Sequence, residues 1–193
     1  MGFLSACRRR LQRFVGDDRA TITMEFMIMA PMLFWAYLST QVFFDGYRMS
    51  TLGQKAAYTV GDVLSRETQA ITPEYIDTLY NLALLMSNNR NENAMRVTAI
   101  QWDGDNDEPT LLWSHVRGSG SVQRGSSSMA PLTQGNMPAL SSQLPSMADH
   151  EPLIIVEIWI DWNPFISIGI TTLPIDAFIF TRPRYGLPLH FNS

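Results

Sequence analysis

The stretch ATITMEFMIMAPMLFWAYLSTQVFF, residues 20–44, carries one acid, Glu25, at the head of an apolar run, and a proline, Pro31, six residues further on. Residues 26–44 are nineteen consecutive positions without a formal charge. As a helix rising about 1.5 Å per residue, this run extends about 28 Å, close to the hydrocarbon thickness of a bilayer. Ser39, Thr40 and Gln41 weaken its apolar character only in the last third. A transmembrane helix over residues 21–44 is the expectation.

The flanks orient that helix. Residues 1–24 hold five arginines (Arg8, Arg9, Arg10, Arg13, Arg19) against Asp17 and Asp18, a net charge of +3. The remainder has nine basic and sixteen acidic residues, and the 193-residue chain as a whole carries −4. Within twenty residues of the run, basic residues number five before it and two after it, Arg48 and Lys55. The positive-inside rule then makes residues 1–20 a basic cytoplasmic leader and puts residues 45–193 across the membrane. A buried core helix would leave the arginine cluster without a purpose. A cleaved secretory signal requires small residues after the apolar run, and neither Ala36-Tyr37-Leu38 nor Ser39-Thr40-Gln41 supplies that pattern. The single cysteine, Cys7, lies in the leader, so the exported part has no disulfide to form.

Beyond the membrane run, Met49, Leu52, Ala56, Val60 and Val63/Leu64 recur at spacings of three and four, one face of a helix that reaches about Thr68. No proline separates it from the apolar run, so one helix can leave the bilayer and continue into solvent. Gly53, Ala57 and Gly61 lie four apart on it. Two glycines inside a helix cost about 1 kcal/mol each relative to alanine, so the small face has a use. It admits either the chain's own sheet or a partner helix.

Thr72-Pro73-Glu74 then reads as a cap, a first-turn proline and an acid at the positive end of a second helix running to about Met86. AMRVTAIQW and TLLWSHV flank an acidic turn at 103–109 and predict a hairpin. PLIIVEIWIDW is the strongest strand and AFIFTR the last. Helices first and strands later predict an α+β domain with an antiparallel sheet. Residues 118–147 are half Gly, Ser or Pro and read as a flexible loop, with Met129, Leu132, Met137, Leu140 and Leu144 able to pack part of it down.

Catalytic signals are sparse. Asp103, Asp105 and Asp107 occupy calcium-loop positions one, three and five, but Glu108 stands where glycine belongs and Ser114 where the closing glutamate belongs, so a solvated turn is the better reading. His115, His150 and His190 form no metal-spaced pair, and no metal or cofactor is expected. No nucleophile elbow or phosphate-binding glycine loop is present, and an acidic exported part disfavours nucleic acid. Carboxylates that pair only in space leave an anchored hydrolase as the enzymatic rival.

Arg19-Ala20-Thr21-Ile22-Thr23-Met24-Glu25-Phe26, followed by Pro31, resembles the TadE-like minor pseudopilins of tight adherence pilus systems. KAAYTVGDVLSRET (55–68) looks like that family's post-membrane helix, EIWIDWNPF (157–165) is similar to its late aromatic strand, and TRPR (181–184) matches its close. These stretches spread over most of the chain, with the serine-rich loop as the main gap. The resemblance implies a pilin-like, non-enzymatic protein of the inner membrane, with its C-terminal domain periplasmic. Its partners would be other pilin and pseudopilin subunits, a prepilin peptidase and the inner-membrane assembly platform.

The same resemblance implies a cut between Ala20 and Thr21, which makes Glu25 the fifth residue of the mature chain. Prepilin leaders usually have glycine before the cut, and here it is Ala20. The new α-amine at Thr21 would pair with Glu25 of an adjacent subunit, whereas the residues alone read Glu25 as an acid near a helix N-terminus. Pro31 removes one intrahelical hydrogen bond and permits a bend. The alternative function is an uncleaved, single-pass anchored binding or sensor module.

Overall fold

The structure, a computed structural model, describes residues 18–87, 92–118, 130–166, 169, 172–185 and 191. The chain divides into two compact units, Met1–Phe44 and Asp45–Ser193. Helix α1 (Asp18–Ser65) begins in the first unit and ends in the second. It stops at Ser65 rather than near Thr68, because the Arg66 and Glu67 N–H groups turn back to the Val63 and Leu64 carbonyls in a tighter turn.

In the second unit, α2 spans Pro73–Met86. Its start follows the chemistry of its first residues: the Tyr75 N–H donates to Thr72 Oγ1 at 3.3 Å, and Pro73 occupies the first turn. The Ser87 N–H donates to the Ala83 carbonyl at 2.9 Å and closes the other end. Ile76, Leu79 and Ala83 form the buried stripe.

Four strands follow: β1 (Glu92–Asp103), β2 (Glu108–Gly118), β3 (Pro152–Trp162) and β4 (Leu173–Thr181). They make one antiparallel sheet in the order β2-β1-β3-β4. The domain is therefore α+β. The inner strands pair through a register that sets Arg96 opposite Glu157 and Ile100 opposite Leu153. Every residue of β3 from Leu153 to Ile160 is buried, so both faces of the sheet's centre are covered.

On one face lie the second half of α1 and helix α2. The Tyr80 hydroxyl on α2 donates to the Asn93 carbonyl at 2.9 Å, and Arg117 on β2 pairs with Asp77. On the other face lies α3 (Met137–Ser141), preceded by a single 3-10 turn at Gln134–Asn136. Met137 and Leu140 are buried against Ile100, Leu153 and Ile155, with Leu111, Leu132, Leu144, Met147 and Phe178 around them.

Within the long loop, Leu132, Met137, Leu140 and Leu144 pack down on the sheet, and Met137 and Leu140, three residues apart, give a five-residue helix its buried side; residues 119–129, Met129 included, lie outside the described residues. One expectation changes. Strand β4 starts at Leu173, four residues ahead of the expected AFIFTR segment. Pro174 is compatible with that because β4 is an edge strand, where a missing N–H costs no ladder bond.

Candidate functional site: the apolar helix and its acid

Glu25 lies in α1 with Pro31 further along the same helix, which continues through the proline. Ala20 and Thr21 are also helical; their side chains lie outside the described residues. Glu25 lies seven residues beyond Asp18, where the described part of α1 begins.

The residues that follow it are apolar on every side of the helix. Met24, Phe26, Met27, Ile28, Met32 and Phe34 are all more than 60% exposed, and successive residues cannot share one face of a helix. A helix that is hydrophobic all round suits either a bilayer or a bundle of like helices. This helix is long and apolar enough to cross a membrane. Two of its polar side chains are already satisfied inside it: Ser39 Oγ donates to the Trp35 carbonyl and Thr40 Oγ1 to the Ala36 carbonyl, each at 2.9 Å. Such back-bonded hydroxyls need no water, which lowers their cost in lipid.

The small-residue face of α1 lies in the second unit, and the chain's own sheet occupies it. A Cβ at Gly53 would stand 3.0 Å from Ile160 Cδ1, and one at Gly61 would stand 3.6 Å from Thr181 Cγ2. Ala57 is fully buried between them. Of the two occupants this face admitted, the sheet is the one in place. Gly53, Ala57 and Gly61, the candidate partner-helix face, are all buried in the domain.

In the acidic turn the Asp103 carboxylate is engaged by its own loop. Asp103 accepts from the Asp105 N–H at 3.0 Å and from the Asn106 side-chain amide at 2.8 Å. These bonds, the Asn106 amide first, hold Asp103 below the ordinary carboxylate range. Among the described residues no group of three or more His, Cys, Asp or Glu could hold a metal ion. His115 is on β2 and packs on Phe191, with ring centroids 5.2 Å apart, while His150 is exposed and pairs with Asp149. His190 lies outside the described residues.

Sequence reasoning missed one constellation. Arg96 Nε donates to Glu157 Oε2, Arg96 Nη1 donates to the Ala130 carbonyl at 3.1 Å, and the guanidinium lies 4.8 Å from the Trp159 ring centroid. Three parts of the domain meet at this one cation: β1, β3 and the segment leading into α3. The only signal was an acid, Glu157, in the middle of the apolar strand PLIIVEIWIDW, and its partner is 61 residues away in sequence. The arrangement joins elements; its donors and acceptors are directed at one another. Compared with family models, curated proteins and solved structures, the chain matches none.

Proposed function

We propose that this protein is a minor pseudopilin: a single-pass inner-membrane protein with a cytoplasmic N-terminus and a periplasmic α+β domain, which helps initiate or assemble a tight adherence pilus and catalyses no reaction. The observation that carries the reading is the place of Glu25, in α1 at the head of a run of apolar side chains exposed all round the helix. A carboxylate there is costly in lipid unless a cation meets it. Cleavage after Ala20 would supply one, the α-amine of Thr21 on a neighbouring subunit. One polar pair between otherwise apolar helices then sets the axial register of the assembly.

The ordered domain supports the same division of labour. Its conspicuous charge cluster ties strands together, and the small-residue face of α1 is covered by its own sheet. The apolar half of α1 keeps its large side chains exposed all round and is the segment suited to meet other subunits. Ala20 in place of glycine favours a second reading, an uncleaved anchored binding or sensor module. The experiment is complementation in the native host. Removing the protein abolishes or reduces surface fibres, the unaltered chain restores them, and Glu25→Lys, which would set two cations together, does not. Full restoration by Glu25→Lys contradicts the pseudopilin reading.

A further inference from the structure

The two edges of the sheet differ. At β2 the Leu111 N–H donates to Gln134 Oε1 at 2.7 Å, and Gln134 Nε2 donates to the Pro109 carbonyl at 3.0 Å. One side-chain amide thus takes the two backbone groups on either side of Thr110 that a further strand would need. At β4, among the described residues, no strand or isolated bridge lies on the outer side.

The second half of β4 is apolar on both faces. The β3–β4 register sets Phe178 and Phe180 beside Glu157 and Ile155, on the α3 side. It sets Ala177, Ile179 and Thr181 beside Ile158, Val156 and Ile154, on the side that α1 covers. Phe178 and Ile179 are half-buried, and Phe180 is 44% exposed. Sheet edges are ordinarily blunted by proline or charge. Strand β4 has both, Pro174 and Asp176, but only in its first half. The next charge is Arg182, which meets Glu151 through Nε at 2.6 Å and the Ser146 carbonyl through Nη2 at 3.3 Å.

A strand that continues the sheet here must itself be apolar on both faces, and β4 has that pattern. Two β4 strands paired antiparallel about a twofold axis at Ile179 set Phe178 against Phe180, Ala177 against Thr181 and Asp176 against Arg182. Aromatic then meets aromatic and acid meets base, at both ends of the pair. An axis at Phe178 would set Asp176 against Phe180, and an axis at Phe180 would set Arg182 against Phe178. Asp176 and Arg182 are exposed and keep contacts within their own chain, so their meeting selects the register more than it adds affinity. Because the same strand serves both partners, the contact closes at two copies.

We propose that β4 is a self-pairing edge, through which two copies of this protein join their sheets across a twofold axis at Ile179. The occupant is a second copy because β4 complements itself in charge and in side-chain type in one register. The inference goes beyond the pseudopilin reading and stands without it.

The test uses the full chain in detergent with Cys7→Ser and single introduced cysteines under mild oxidation. Directly opposed residues stand about 4.5–5.5 Å apart at Cβ, and diagonal ones about 7–8 Å; only the former suit a disulfide. Ile179→Cys is expected to give a crosslinked dimer. An equal mixture of Ala177→Cys and Thr181→Cys, which leaves Ile179 in place, is expected to do the same. Phe180→Cys, and Leu112→Cys on β2, are expected to stay largely monomeric. Adding Asp176→Arg to Ile179→Cys, which sets like charges opposite, should lower the dimer yield severalfold at an unchanged melting temperature. The proposal is overturned if neither Ile179→Cys nor the mixture exceeds Leu112→Cys, an edge that takes a different protein or none. Equal crosslinking at 179 and 180, or a yield indifferent to Asp176→Arg, overturns it as well.

Discussion

Arg96 Nε stands 2.6 Å from Glu157 Oε2, with the two side chains 6% and 2% exposed. They are direct neighbours across the central β1–β3 pair, and the Trp159 ring next to Glu157 covers the guanidinium. Both charges have left water, so the pair is a commitment of the fold. Each ion depends on the other.

Removing one member strands the other in the core. Glu157→Ala is expected to destabilise the detergent-solubilised chain by about 3–5 kcal/mol, the usual cost of an orphaned buried charge. Arg96→Met with Glu157→Leu is expected to recover most of that loss, since an apolar pair of similar size needs no partner. Thermal unfolding of the two variants decides it. A double variant as unstable as the single one contradicts this account of the pair.

The two glycines on α1 are predicted to respond in opposite directions. A Cβ at Gly61 meets only ordinary contacts, 3.6 Å and 4.0 Å from Thr181 and Val156. Gly61→Ala should therefore gain helix propensity, up to about 1 kcal/mol. At Gly53 the neighbour is Ile160 Cδ1 at 3.0 Å, and Gly53→Leu should overpack the interface at a cost of about 1–3 kcal/mol. Chemical unfolding of both variants checks the ordering.

His115 gives the domain an acid-sensitive point. Burial lowers its pKa below the ordinary 6.5, the Arg117 cation adds to that, and Asp77 opposes it. Its Nε2 is buried and has no hydrogen-bond partner among the described residues. A base whose folded pKa is depressed contributes stability that is fully present above its unfolded pKa and lost as pH falls through the folded one. Stability is therefore expected to decline below pH 6.5, and His115→Asn should flatten that part of the profile. Melting temperature followed from pH 7.5 to pH 5 in both proteins measures it; identical slopes contradict the assignment.

Much of this architecture was legible because its signals are local. Thr72, Pro73 and Glu74 marked the start of α2, and the run of β-branched and aromatic residues marked β3 at both ends. The order β2-β1-β3-β4 was not legible, since β1 and β3 are neighbours across some fifty residues of intervening chain and no local rule selects that pairing. Helix α3 was hidden by its length: five residues with a proline among them show no periodicity beyond Met137 and Leu140. Gly53, Ala57 and Gly61 were visible as a face, but only the folded domain says what lies on it. Glu25 and Pro31 were conspicuous in the sequence, whereas the Arg96–Glu157 pair exists only once the sheet has formed.

Topology has a direct readout. A reporter active only outside the cytoplasm, fused after Ser193, should be active, and the same reporter fused after Gln12 should be silent. The positive-inside asymmetry of Arg8, Arg9, Arg10, Arg13 and Arg19 is the reason. The reverse pattern contradicts the proposed orientation and the pseudopilin reading with it.

Processing is the step on which the role of Glu25 depends. Mass spectrometry of the protein extracted from membranes of a host that carries a prepilin peptidase measures the N-terminus itself. The account predicts a chain beginning at Thr21, unchanged or increased in yield by Ala20→Gly, with Glu25 as its fifth residue. An intact start at Met1 contradicts it: no new amine would exist for Glu25 to meet, and the protein would be an uncleaved anchor.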